Sequence, residues 1–277
     1  MSKDLSHSLT LVYDGIGQGY SDLLLKVRTG GREIGPNGAA TKEVTPLILY
    51  LTDPRKCLVR RRGFSRALMW LEILQLLGGV YDREAYERVA PKAAELTHAA
   101  TAYGPRVRDQ VPGIISELQR DPSSRRATVY IGRDSDLKSA VDTGMPCTET
   151  WQFFIREGSL DMHVNMRSWD LVWGLGYDLA CFVTVQAAVA NALGVPLGIY
   201  VHTAASAHVY QRDWALEPGV TDELLSLVDV PWEQAASVSR FLLWSLSAGG
   251  APPGTSGFRP WEAEAVTAIS KALLKKA

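Results

Sequence analysis

DLACFVTVQAAVANALG, residues 178–194, constrains the fold more than any other stretch. Its polar residues are Asp178, Thr184, Gln186 and Asn191, and the apolar ones cover the whole circumference at 3.6 residues per turn. Such a helix has no solvent face and must be wrapped on all sides, with Gly194 as its stop signal. No apolar run approaches the roughly 18 residues of a membrane span, because Arg, Asp, Gln or Gly interrupts each one. The wrapping must therefore come from the rest of the chain. With 277 residues, 46% of them hydrophobic and 21% charged, there is enough apolar material for a sizeable core. No repeat and no Pro/Gly/Ser-rich linker divides the chain, so residues 1–277 are expected to form one domain.

The surrounding segments read as a mixture. LTLVYDGIGQGYSDLLLKV joins a short apolar strand pattern to a second apolar run through a Gly-containing turn. TGGREIGPNGAATKE reads as an exposed turn carrying Arg32 and Lys42. TPLILYLTDP and RRATVYIG fit strands, and WQFFIREGSLDMHVNMRS fits a hairpin around Glu157-Gly158. Ser65 can cap the helix RALMWLEILQLLG, which ends at Gly78-Gly79, and PGIISELQRDP is an amphipathic helix. LGIYVHTAASAHVYQRD is strand-like again. The sum is α+β, mostly antiparallel strands packed on a few buried helices.

Charge excludes some functions. Lys and Arg number 29 against 30 Asp and Glu, a formal net charge of -1, so bulk attraction to nucleic acid or to an anionic membrane is not expected. Three cysteines are too few and too odd for a disulfide framework, and MSKDLSHSLT has no signal pattern; a reduced, cytoplasmic protein is expected. No CxxC, HExxH, P-loop or GxGxxG spacing occurs, leaving zinc, nucleotide-triphosphate and dinucleotide readings without support and no metal expected.

A few residues stand out chemically. Cys147 in GMPCTET is either a small buried hydrophobe or a nucleophile, the second requiring cations nearby to favour its thiolate. Arg125-Arg126 and Arg167-Ser168 offer such cations, or are solvated surface charges. Cys57 and Cys181 read as core. Glu72 inside WLEILQLL needs a partner or a task if buried, or else marks a solvent-facing stripe. Asp170 and Asp178 flank WGLGY, and Asp178 has an alternative role as the cap of the apolar helix. His208 and Tyr210 alternate along one strand face; His163 and His202 carry no assignment.

In order and spacing these residues resemble the thymidylate synthase superfamily of pyrimidine-nucleotide C5 transferases. The resemblance runs from about Arg32 to Asp213. It is carried by Glu72-Ile-Leu, Tyr103-Gly104, Asp109-Gln110, Ser124-Arg125-Arg126, Pro146-Cys147, Gln152-Phe153, Arg167-Ser168-x-Asp170, Gly174-Leu175 and His208-Val-Tyr210. It implies an antiparallel sheet on a long buried helix and an obligate homodimer through that sheet. It also implies roles. Cys147 adds to C6 of the pyrimidine. Arg32, Arg167 and Ser168 hold the 5′-phosphate, with Arg125 and Arg126 reaching the partner's phosphate. His208 and Tyr210 hold the sugar, Glu72 orders water over the base, and Asp170 contacts folate. A fork of guanidiniums suits a dianionic phosphate, and its field is expected to favour the Cys147 thiolate.

Departures from the family pattern narrow the reading. Asp178 stands where the synthase has Asn, and cytidylate hydroxymethylases of the same superfamily carry this substitution. A carboxyl group can accept from the exocyclic amine of cytosine and share a proton with N3, whereas uracil would present O4 to an acceptor. Upstream of Tyr103 the Trp-rich synthase segment is replaced by YERVAPKAAEL. Thr148 replaces a His, Ala205-Ser206 replaces Gly-Asp, and KALLKKA replaces an apolar tail. These changes open the region that shields the methylene intermediate, so water addition is expected instead of reduction. The resulting expectation is hydroxymethylation of CMP or dCMP at C5, with 5,10-methylenetetrahydrofolate as co-substrate. A thymidylate synthase or a uridylate hydroxymethylase is the alternative, and a non-catalytic nucleotide-binding relative a more distant one.

Overall fold

The computed structural model describes residues 7–247 and 254–274. The first half runs β1 (Leu9–Tyr13), α1 (Ile16–Gly30), β2 (Arg32–Ile34), β3 (Thr41–Val44), β4 (Leu47–Leu51), α2 (Arg66–Gly78), α3 (Arg83–Val89) and α4 (Pro91–Ala94). There follow α5 (Tyr103–Val107), α6 (Val111–Arg120), β5 (Thr128–Tyr130), α7 (Asp134–Thr143), β6 (Thr148–Arg156) and β7 (Ser159–Met166). The rest is β8 (Trp169–Asp170), α8 (Leu175–Leu193), β9 (Leu197–Ala204), β10 (Ala207–Tyr210), α9 (Trp232–Ser247) and α10 (Pro260–Leu274).

The apolar helix is α8, and it is buried along nearly its whole length. It begins at Leu175, three residues before Asp178, and so reaches 19 residues, longer than the apolar run in the sequence suggests. Among the described residues it is the one helix long and apolar enough to cross a membrane, and most of it lies inside the core. Gly194 closes it in the left-handed region at φ 68°. Helix α2 is the second core helix, packed against α8, α9 and α10. Ser65 caps it through Oγ, which accepts from the Leu68 amide at 3.2 Å, and Gly79 ends it at φ 67°.

Six strands form one sheet in the order β1-β4-β9-β7-β6-β5, and four form a second in the order β2-β3-β10-β8. Most neighbours are antiparallel, but β1–β4, β9–β7 and β10–β8 are parallel. The β7–β9 pair needs a crossover, and α8 is that crossover. On the inner face of the large sheet, Trp151, Phe153, Met162, Val164 and Tyr200 join one continuous core with α8. The β6–β7 hairpin turns at Glu157 (φ 50°) and Gly158 (φ 76°), the paired positive φ values of a tight two-residue turn.

Three readings of the sequence are corrected or refined. The second apolar run of the N-terminal segment is a helix, α1, whose inner stripe is Ile16, Tyr20, Leu23, Leu24 and Val27. The segment read as an exposed turn forms β2 and β3, because β3 finds a long-range partner in β10. The strand-like stretch 197–213 splits at Ala205-Ser206 into β9 and β10, one in each sheet. The start of the chain (residues 1–6) and the end of KALLKKA (residues 275–277) lie outside the described residues.

Candidate active site

A cleft of about 280 Å³ opens between α2, α5, α8 and the loop entering β6, lined by Glu72, Tyr103, Cys147 and Asp178 among others. The long-range packing of α2 on α8 brings the first and last of these together. Neither carboxyl forms an ion pair among the described residues. Burial pushes Glu72 up to about 8, and the nearby Asp178 adds to the shift. Burial likewise raises Asp178 to about 7; a hydrogen bond from Trp169 opposes the rise and the charge of Asp170 assists it. Because α8 starts at Leu175 with Gly174 as its cap residue, Asp178 is not the helix cap. Its Oδ2 accepts instead from Trp169 Nε1 at 3.1 Å. The solvent-stripe alternative for Glu72 also falls, since its neighbours around α2 are buried and its own side chain lines the cleft.

Cys147 sits just ahead of β6, half-buried, with Arg167 Nη2 at 3.9 Å from its sulfur. Arg167 also donates from Nε to Pro146 O (2.9 Å) and from Nη2 to Met145 O (2.8 Å), which ties the end of β7 to the cysteine loop. Its Nη1 makes no hydrogen bond among the described residues. Arg167 pulls the thiol toward the thiolate, as expected, but burial raises it above its ordinary value and outweighs that pull, and Asp178 and Asp170 raise it further. Tyr103 stands beside it and accepts from the Thr148 amide at 3.3 Å.

Asp170 lies in β8, in register with His208 of β10. Its Oδ1 accepts from the amides of Val172 (2.8 Å) and Trp173 (2.9 Å), which shapes the turn into α8. His208 and Tyr210 do project together, their rings edge-to-face at 5.0 Å. Burial lowers the pKa of His208, with Asp170 and Glu43 pulling the other way. Ser168, half-buried, separates Arg167 from β8.

Of the predicted residues, Glu72, Cys147 and Asp178 line the cleft; Arg167, Ser168, Asp170, His208 and Tyr210 lie outside its lining, and so do Arg32, Arg125 and Arg126. Arg32 is exposed at the start of β2, opposite Glu43. Arg125 and Arg126 are exposed and line a separate shallow depression with Arg120, Asp121, Ser123 and Ser124. Within one protomer they do not meet Cys147.

Other cleft residues had no assignment in the sequence. Tyr81, Tyr86, Leu96, Thr97 and His98 form a wall from the segment where the synthase-like tryptophans are missing. Trp169 and His202 stack flat at 3.6 Å behind Asp178. The wall was signalled only by two tyrosines in a polar segment, and the stack by nothing local, since the two rings come from strands 33 residues apart.

Comparison with known proteins agrees with this geometry. The thymidylate synthase family description matches residues 65–222, which is 158 of 277 residues and includes both core helices and the cysteine loop. A deoxyuridylate hydroxymethyltransferase of Bacillus phage SP01 is 27% identical over 237 residues, 77% of this chain and 61% of that protein. The chain thus spans less than two thirds of the length of that curated relative. With more than half of its length matched and the cysteine, the carboxyl pair of the cleft and the long core helix all inside that match, the chain belongs to the thymidylate synthase family.

Proposed function

We propose that the protein is a one-domain cytoplasmic enzyme that hydroxymethylates C5 of CMP or dCMP, drawing the one-carbon unit from 5,10-methylenetetrahydrofolate. The observation that carries the base assignment is Asp178: a carboxyl group without a cation partner among the described residues, in the same cleft as Cys147 and raised to about 7. Near neutrality it can be an acid or a carboxylate, the group that cytosine N3 and its exocyclic amine require. The residues also fit a flat, polar co-substrate. The cleft has a tyrosine wall, and Asp170 keeps Oδ2 without a hydrogen-bond partner among the described residues. Glu72 and Asp170 would hold the folate, which when bound supplies a one-carbon unit at the oxidation level of formaldehyde.

The chain's own residues then divide the work. Arg167 has Nη1 available for the 5′-phosphate beside Ser168, with Arg32, His208 and Tyr210 completing the nucleotide grip. Cys147 releases its proton to water in the cleft, Arg167 stabilises the resulting thiolate, and the sulfur then bonds C6. Electron density moves to C5, and Asp178 shares a proton with N3 to support it. After C5 has gained the carbon and lost its proton, Glu72 orders the water that adds to the exocyclic methylene, and Cys147 departs. Arg125 and Arg126, remote from the cleft of their own protomer, are assigned to the phosphate of the second copy in a homodimer.

A second reading, deoxyuridylate as substrate, is favoured by the name of the phage relative. Replacing Asp178→Asn separates the two. Uridylate is expected to gain on cytidylate by on the order of 10²-fold in kcat/KM, because the amide can turn its NH₂ toward O4. Turnover of CMP, dCMP and their uridine counterparts with product mass measures this, and an unchanged base ratio would exclude Asp178 from base choice.

A further inference from the structure

Trp169 is fully buried and held on three sides. Its amide donates to Ser206 O at 2.8 Å, and its indole lies on the His202 ring with centroids 3.6 Å apart and 8° between planes. His202 is itself fixed, with Nδ1 bonded to the Tyr200 hydroxyl at 2.9 Å, and burial pushes its pKa down to about 3, so the stack is between neutral rings. The indole N–H therefore points one way only, at Asp178 Oδ2. Gly174 makes room for that contact: a Cβ there would lie 3.0 Å from Oδ2 and 3.0 Å from Asp170 O.

We infer that Trp169 decides which oxygen of the Asp178 carboxyl carries the proton, and through it which pyrimidine the cleft accepts; this rests on the reading of Asp178 as the group that meets the base. An indole N–H donates and never accepts. Oδ2, facing it, must be an acceptor, so the proton of the neutral acid belongs on Oδ1. The consequence for base choice is direct. Cytosine presents a donor at C4 beside an acceptor at N3, and uracil presents the reverse pair. A carboxylic acid free to place its proton on either oxygen can match both bases. One whose proton is confined to Oδ1 matches a single base in a given orientation. Trp169 is thus a positioning residue that makes an ambivalent side chain selective.

The neighbours of Asp178 offer no competing control. Glu72 on α2, Asp170 on β8, Tyr103 on α5, Cys147 ahead of β6, Tyr200 on β9 and Cys181 on α8 all interact with it electrostatically, and none of them is a cation. Among the described residues, only Trp169 donates a hydrogen bond to its carboxyl group.

The test is Trp169→Phe in the full chain, assayed with CMP and UMP and their deoxy forms across pH. The ratio of kcat/KM between the bases is expected to narrow by about 10-fold, the size of one lost hydrogen bond. The pH-profile limb belonging to Asp178 should move to higher pH, since the lost donor favoured the carboxylate. A folded variant with unchanged base ratio and unchanged profile overturns the assignment. Where the Phe variant does not fold, the benzothiophene isostere of tryptophan at position 169 keeps the ring and lacks the N–H; the same two outcomes apply. If the unaltered protein prefers uridylate, the cytidylate reading fails by itself. The role of Trp169 then still stands or falls on whether its replacement narrows the ratio.

Discussion

Two places in this molecule hold acidic side chains away from bulk water, one fully buried and one half-buried in a cleft, and they are built in opposite ways. Asp136 meets Arg106 through two contacts of 2.6 and 2.7 Å, and both residues are almost fully buried. Arg106 also donates to Ile131 O at 2.7 Å and to Ala100 O, and the Arg133 amide donates to Asp136 at 2.8 Å. The Arg106 hydrogen bond, with smaller help from the other donors, holds the Asp136 carboxyl below its usual range. One turn of α5 away, Tyr103 borders the cleft where Glu72 and Asp178 share one hydrogen-bond donor between them and no cation. Both are pushed up instead. Saturated charge pairs join elements of the fold, here α5 to the segment entering α7. Half-buried carboxyls without a cation do the reverse, since each lowers stability when charged and is tolerable only where protonation has a use.

The comparison breaks first at Arg106. Arg106→Met removes the cation that meets both oxygens of the buried Asp136 carboxylate, which is expected to cost about 3–5 kcal/mol in urea unfolding. A loss below about 1 kcal/mol would put this pair in the class of surface ion pairs. Cys147→Ala sharpens the other side. Turnover should fall by at least ~10³-fold with nucleotide binding retained and the melting temperature little changed, because the covalent step is lost and the phosphate grip is not. Equal loss from Cys57→Ala would place the chemistry elsewhere; Cys57 is fully buried and its thiol is pushed up to about 12.

The smallest effect is thermodynamic and has a definite sign. Glu72 is raised from 4.5 to about 8 and Asp178 from 3.8 to about 7, so the folded state binds more protons than the unfolded chain between those limits. Their contribution to stability is complete below about pH 4 and is lost as pH rises toward 8. Glu72→Gln removes one of the two ionisations. It should raise the melting temperature at pH 8 by about 2–4 °C and flatten the decline, with little effect at pH 4. A variant that melts lower at pH 8 would mean that Glu72 has a stabilising partner when charged.

The site was legible in the sequence where its members follow one another closely. Glu72 within a helix of leucines, Cys147 after a proline, and Asp178 in the apolar segment each stand out against their own neighbours. His208 and Tyr210 share a face through strand alternation alone, and the structure joins their rings as that alternation predicts. Arg167 pulls the Cys147 thiol toward the thiolate as its place in the sequence predicts, whereas the depth of burial that opposes it is a property of the packed molecule.

By itself the sequence determined the two core helices, the Ser65 cap and the Gly79 and Gly194 stops, the Glu157-Gly158 hairpin and the family resemblance, because periodicity, turn residues and motif spacing are local properties. Tertiary structure alone decided that Arg32–Ile34 and Thr41–Val44 are strands, since β3 needs β10 more than 160 residues later to satisfy its backbone. It alone decided the tyrosine wall of the cleft and the indole that confronts Asp178. A hydrogen bond from β8 to α8, backed by a ring from β9, depends on the position of three elements at once, and no local pattern encodes that position.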